Sequence, residues 1–262
     1  MLEIIIGIII TFLIGVFAYI KKALTFGGMT AALVLMIAIL FWSGLNALLM
    51  LILAYLLIIA VDMLFKDRIE NVTSSINKKS GTRDIVQVMA NGLTAGIAIL
   101  VYGITDNPDF LFLYVIGIGE ALADSIASDI GVLSKKEPFD ICTFKRISKG
   151  ISGGVSLLGI ISSFVFCLVY TFFSYIFIDF KFSMYILILL IPFLGCIIDS
   201  ILGSRVQSKY RCRVSGKYTE KKIHCHHTTD FVKGVKFIDN CCVNFISNSL
   251  TIIIGFLLIK FI

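Results

Sequence analysis

Glu120, Asp124 and Asp129 fall within one short run, EALADSIASDIG, that is otherwise apolar enough to cross a membrane. An ionised side chain near the bilayer centre costs about 2.5–3.5 kcal/mol on insertion scales, so three together call for counter-charge, and a bound cation supplies it. Glu120 and Asp124 are four residues apart and share a helix face, while Asp129 lies five further on, beyond Ser125 and Ser128. Carboxylates set among hydroxyls suit a hard, oxygen-seeking ion such as Mg²⁺. The triplet Asp124-Ser125-Ile126 returns as Asp199-Ser200-Ile201. Two parallel helices presenting these Asp-Ser pairs to each other would bracket one or two divalent ions, as in sites where metals bridge phosphate oxygens.

The elements that position these groups are membrane helices. With 58% hydrophobic and 15% charged residues among 262 and a mean hydropathy of +0.98, the chain is an all-α, polytopic integral membrane bundle and not a soluble globule. Eight segments are long enough to span: about 2–20, 25–42, 45–65, 84–103, 109–131, 153–177, 183–204 and 238–260. The second and third are joined only by Trp42, Ser43 and Gly44, so a count of seven is the alternative. The chain is one transmembrane domain over 1–262, with a basic loop at 205–236.

Lysine and arginine orient it. The loops after the first, third, fifth and seventh segments hold 21 of the 23 basic residues, leaving Lys181 and Lys260 elsewhere. Those loops are expected in the cytoplasm and both termini outside, in a multi-pass protein of the cell membrane. The net charge of +6 is thus a topology signal and not a nucleic-acid footprint. The first segment lacks the basic n-region and small-residue cleavage site of a signal peptide. All seven cysteines fall in helices or in expected cytoplasmic loops, which argues against a disulfide framework.

In this topology Asp62, Asp124, Asp129 and Asp199 lie near the cytoplasmic ends of their helices, and Asn91, Asp239, Asn240 and Asn244 near the cytoplasmic starts of theirs. Five helices bring polar groups to one level, which locates a site at the cytoplasmic interface. Glu120 alone sits deeper.

The sequence KGISGGVSLLG (149–159) adds an anion-binding element. A Gly-rich turn, Gly150, Ser152, Gly153 and Gly154, opens the sixth helix after Lys145, Arg146 and Lys149, so that backbone N–H groups and a helix N-terminus meet a basic cluster. The lysine precedes the glycines, so this is no Walker A loop, and no dinucleotide or kinase signature is present. The same glycines would also serve close helix packing. In the last loop, Cys212, His224, Cys225, His226 and His227 make a small zinc knuckle conceivable, although the C-x₂-C spacing is missing. A basic loop beside anionic headgroups, with incidental Cys and His, accounts for the same residues.

Over nearly its whole length the chain resembles the transmembrane protein 19 family, through ALADSIASDIG, KGISGGVSLLG, DSILGSRVQ (199–207), RDIVQVMANG (83–92) and DNCCVNFIS (239–247). That family includes the plant chloroplast phytyl-phosphate kinase of vitamin E biosynthesis. The resemblance therefore implies a nucleotide-dependent kinase, with CTP the expected donor and Mg²⁺ the cofactor, converting an isoprenyl monophosphate to the diphosphate. Departures from the family pattern are Ile151 where Thr is common, Asp129 where Glu is common, Cys241 where Asp is common, and Ser215 where some members carry a second Cys. Cys241 removes a possible metal ligand, and Ser215 weakens a zinc site.

The residues and the resemblance agree on chemistry. A prenyl phosphate keeps its tail in the bilayer and its anionic head at the interface, the depth at which the polar residues converge. Asp124, Asp129 and Asp199 are the expected catalytic metal ligands, with Glu120, Ser125 and Ser200 in support. Lys145, Arg146, Lys149 and the 150–154 turn are expected to hold phosphates, and Asn91, Asp239, Asn240 and Asn244 to complete the wall. A secondary transporter is the alternative. It would place its carboxylates near the midplane, and only Glu120 is there. A CDP-alcohol phosphotransferase would need a D-x₂-D-G run, which is absent.

Overall fold

The computed structural model describes residues 2–73 and 82–261. Among them, seven helices are long and apolar enough to cross a membrane: α1 (Leu2–Ile20), α2 (Phe26–Thr73), α3 (Ile85–Thr105), α4 (Pro108–Gly131), α5 (Leu157–Phe177), α6 (Phe182–Arg205) and α7 (Asn240–Leu258). α2 has 48 residues. Straight, it would run about 72 Å, more than twice a hydrocarbon core of about 30 Å.

It is instead a hairpin. Gly44 has φ 78° and ψ −172°, a conformation open essentially to glycine alone, and the helical path reverses there. Contacts on the two limbs give their directions. In the first limb Gly28 approaches the Arg83 carbonyl and Trp42 covers Gly103, so it runs parallel to α3. In the second, the Ala47 carbonyl accepts from the Tyr114 hydroxyl at 2.8 Å and Asp62 reaches Arg83 at 3.9 Å, so it runs back alongside α4. The seven helices thus include one whose two limbs correspond to the second and third of the eight segments expected.

α4 is the central helix. Its residues from Phe112 to Ala123 are buried with the exception of Ala121, and α2, α3, α5, α6 and α7 all pack on it. A helix apolar and buried all round must let its neighbours approach closely, and in membranes small residues do this. A Cβ at Gly119 would lie 3.0 Å from Pro192 of α6, and Gly195 of α6 in turn lies against Glu120. α4 and α6 are therefore parallel, with residues 119–124 level with 192–199. α7 runs the other way along α4, since Gly255 meets Leu113 and Ile116 while Ser247 meets Glu120.

The basic end of the bundle carries a thin layer of strands. β1 (Phe139–Asp140) pairs antiparallel with β2 (Gly154–Val155), Asp140 opposite Gly154. β3 (Lys209–Arg211) lies between β4 (Tyr218–Thr219) and β7 (Asp230–Lys233), and β5 (Ile223–His224) forms a hairpin with β6 (His227–Thr228). Both oxygens of the Asp140 carboxylate accept from the Ser204 hydroxyl, at 2.9 and 2.8 Å, which fastens the loop before α5 to the end of α6. Burial alone would raise that carboxyl, but the bonds from Ser204, Thr143 and Cys142 outweigh it and hold Asp140 below the usual carboxylate range.

The orientation expected from the basic residues is open to a labelling test. In a cysteine-free background, a single cysteine at exposed Ser215 should react with an impermeant maleimide only from the cytoplasmic face, and one at exposed Asp106 only from the opposite face. Labelling of position 215 from outside would invert the bundle.

Candidate functional site

A cavity of about 500 Å³ opens where the basic ends of α2, α3, α4, α6 and α7 meet the strand layer. Asp62, Asp124, Asp129 and Asp199 line it, with Ser125, Ser128 and Ser200 between them. Their helices explain the convergence. Because α4 and α6 are parallel and in step, Asp124 and Asp199 come within hydrogen-bonding contact of each other, the juxtaposition expected from the repeated Asp-Ser-Ile. Asp129 likewise touches Asp62 on the second limb of α2.

Four carboxylates in two touching pairs repel unless protons or cations lie among them. Arg83 supplies one cation. It enters the cavity just before α3, where the Asp84–Gln87 capping box sets the helix start, and it pairs with Asp62 at 3.9 Å. The sequence named Asp62 as part of the polar level but gave Arg83 no role, since a single arginine beside an N-cap looks like any topology charge.

The donor set fits a hard metal ion. Asp129 Oδ2 and Asn244 Oδ1 are buried without a hydrogen-bond partner, so both oxygens are available as ligands or second contacts. Asn244 is held by its amide, which donates to Asn91 Oδ1 at 3.0 Å. Asn91, Asp239 and Asn240 line the same cavity, although Asp239 spends one oxygen capping α7 through Cys242 N at 3.2 Å. Cys241 also lines it.

Glu120 is a correction. It is 2% exposed, does not line the cavity, and has both oxygens engaged, by Ser247 Oγ at 2.9 Å and Asn248 Nδ2 at 2.6 Å. Ser247 also donates to Asp199 at 3.1 Å. Glu120 therefore supports Asp199 from behind through a shared hydroxyl and is not a ligand on the cavity wall.

The Gly-rich element also departs from expectation. α5 begins at Leu157 and is capped by the Ser156 hydroxyl, which accepts from Gly159 N. Residues 150–154 are thus the turn entering β2, not the opening of the helix. Gly150 and Gly153 have φ of 84° and 82°, and a Cβ on Gly153 would lie 2.5 Å from the backbone of Ser204. Gly150, Ser152, Gly153 and Gly154 do line the cavity. The Ser152 N–H and hydroxyl, however, both donate to Glu220, at 3.0 and 2.5 Å, so this turn holds an anion belonging to the chain itself. Burial pushes the Glu220 carboxyl up, and Lys209, which donates to the Ser152 carbonyl at 2.6 Å, is pushed down to about 8 by its own burial.

The three cations expected beside the turn lie away from the cavity. Lys145 is exposed, Arg146 donates to the Glu137 carbonyl, and Lys149 donates to the Ser134 carbonyl. Arg146 and Lys149 brace the loop. An apolar flank of Ile59, Met63, Ile160, Phe193 and Ile197 completes the cavity.

Fold and site together define a polytopic helical membrane protein with a carboxylate-lined cavity at the basic end of its bundle. The chain belongs to the integral membrane protein DUF92 family, whose model matches residues 9–252, in keeping with the resemblance to the transmembrane protein 19 family. It is 28% identical to Protein PGR of Arabidopsis thaliana over 95% of this chain and 93% of that one. It is also 28% identical to an uncharacterized membrane protein of Synechocystis, over 72% of this chain and 74% of the relative. No solved structure matches it.

Proposed function

We propose that the protein is a Mg²⁺-dependent phosphotransferase that adds a phosphoryl group from a nucleoside triphosphate, CTP first among them, to an isoprenyl monophosphate at the cytoplasmic surface of the cell membrane. One observation carries this reading: Asp62, Asp124, Asp129, Asp199 and Arg83 converge on a single cavity that also has an apolar flank. Such a cavity matches a ligand with a highly charged head and a greasy tail.

In the reaction a phosphate oxygen of the acceptor attacks the terminal phosphorus of the nucleotide in line. The bond to the bridging oxygen breaks, and the nucleoside diphosphate leaves with that electron pair. The acceptor oxygen is already ionised, so no strong general base is needed, and positioning and charge neutralisation do the work. Bound Mg²⁺ would neutralise charge on the phosphate oxygens, held by Asp124, Asp129 and Asp199 with Ser125 and Ser200 beside them. Arg83, aimed by Asp62, would grip a phosphate through its planar fork. Asn91 and Asn240 would offer amides to the remaining oxygens, and Asn244 its unpartnered Oδ1 to the ion.

Arg83→Lys keeps the charge and loses the fork. It should raise KM for one phosphate substrate about tenfold, and Arg83→Ala further, with smaller effects on kcat. Equal KM in Arg83→Ala would remove Arg83 from substrate binding. The transporter alternative rests on Glu120, whose two oxygens accept from Ser247 and Asn248. The test of the proposal is purified protein with Mg²⁺, each nucleoside triphosphate in turn, and phytyl, geranylgeranyl or shorter prenyl monophosphates, read by mass spectrometry. A lipid diphosphate that requires both substrates supports it. Solute flux driven by Na⁺ or H⁺ in liposomes, without that product, would replace it.

A further inference from the structure

The strand layer brings together three side chains that the phosphotransferase proposal does not use. Cys212 follows β3 at the start of a tight turn closed by Gly216 N to the Cys212 carbonyl and Cys212 N to the Lys217 carbonyl, each at 2.9 Å. His224 ends β5, opposite His227 across the hairpin, and Cys225 and His226 are its two turn residues. Both lie in the left-handed region, with φ of 52° and 61°. A two-residue hairpin turn of this kind favours Asn or Gly, and other residues pay about 1–2 kcal/mol each. The result folds the hairpin tip back on Cys212.

The ligand atoms of Cys212, His224 and Cys225 all lie within 4.8 Å of one another. Tetrahedral zinc, with bonds of about 2.0–2.3 Å, sets its ligand atoms about 3.3–3.8 Å apart, so a small inward shift of exposed turn atoms completes the geometry. Cys225 Sγ is already 3.2 Å from His224 Nδ1. Ser215 N donates to Cys212 Sγ at 3.3 Å, the kind of outer contact that orients a thiolate ligand.

We propose that Cys212, His224 and Cys225 bind Zn²⁺, with a fourth position left to water or an outside ligand. Two thiolates and an imidazole select a soft or borderline ion, so this site is chemically separate from the carboxylate cavity, which selects a hard one. Its position gives it a consequence. Glu220, which reaches into the cavity rim to hold Ser152, lies between Cys212 and His224 in the chain, so a metal joining those two residues clamps both ends of the segment that carries it.

The experiment uses the full-length protein in detergent, incubated with Zn²⁺, desalted and assayed for metal by mass spectrometry, with Co²⁺ as an optical probe. Expected are about one Zn²⁺ per chain and thiolate-to-Co²⁺ charge-transfer absorption, both retained in Cys142→Ser. Cys225→Ser, at the exposed turn, should lose at least tenfold in affinity while gel filtration stays unchanged. His224→Ala gives a second variant at a half-buried position. Zinc content unchanged in both variants would overturn the site, as would less than a tenth of an equivalent in the wild type. A Cys212–Cys225 disulfide found by mass spectrometry in protein kept under reductant and incubated with Zn²⁺ would also overturn it. None of these readouts depends on phosphotransferase activity.

Discussion

Asp124→Asn and Asp199→Asn should each lower phosphoryl transfer by about 10³-fold and leave a folded, monodisperse protein. Loss of rate is expected because each substitution removes one of the three anionic ligands from the proposed set, and the remaining two hold a divalent ion more weakly. Retention of fold is expected because the two carboxylates touch. Neutralising one relieves like-charge repulsion and lowers the cost of placing charge in a membrane. The Mg²⁺ concentration for half-maximal rate should rise in parallel. Turnover near wild type at saturating Mg²⁺ in either variant would strike that residue from the ligand set.

Gly153→Ala should be the most damaging small substitution outside the carboxylates. The residue has φ of 82°, and the added carbon would sit 2.5 Å from Ser204 backbone atoms, so strain and overlap act together at a cost of about 2–4 kcal/mol. A thermal-unfolding midpoint lowered by several degrees is expected, with activity falling as the turn and Ser152 move. Lys149→Ala should do far less, because Lys149 contacts the Ser134 carbonyl and not the cavity. An undisturbed midpoint in Gly153→Ala, or a large substrate KM effect in Lys149→Ala, would return the phosphate-holding role to the 149–154 segment.

What the sequence made legible was what a membrane makes expensive. Intramembrane carboxylates stand out against apolar surroundings, and the repeated Asp-Ser-Ile predicts the register in which Asp124 meets Asp199. The Trp42-Ser43-Gly44 junction was only half legible, since three residues between two apolar runs left a count of seven open, and the turn rests on the backbone of Gly44. Less legible was everything decided by the extramembrane layer. Glu220 on Ser152 and Asp140 on Ser204 join residues 68 and 64 positions apart, and no periodicity records such pairings, whereas the Cys and His residues at 212–227 were legible as a group by residue type alone. The start of α5 was misplaced for a local reason. Glycines ahead of an apolar run suggested a helix opening, whereas the Ser156 cap three residues before Gly159 marks it.

The most direct measurement follows the terminal phosphate itself. Nucleoside triphosphate labelled with ³²P at its terminal phosphate is incubated with Mg²⁺, geranylgeranyl monophosphate and the purified chain in lipid, and organic-extractable label is counted. The proposed function predicts that label enters a lipid diphosphate, stops when Mg²⁺ is chelated, and falls to background in Asp124→Asn. Label confined to the aqueous phase across the full set of nucleotides and prenyl phosphates, with a folded wild-type protein, would contradict it.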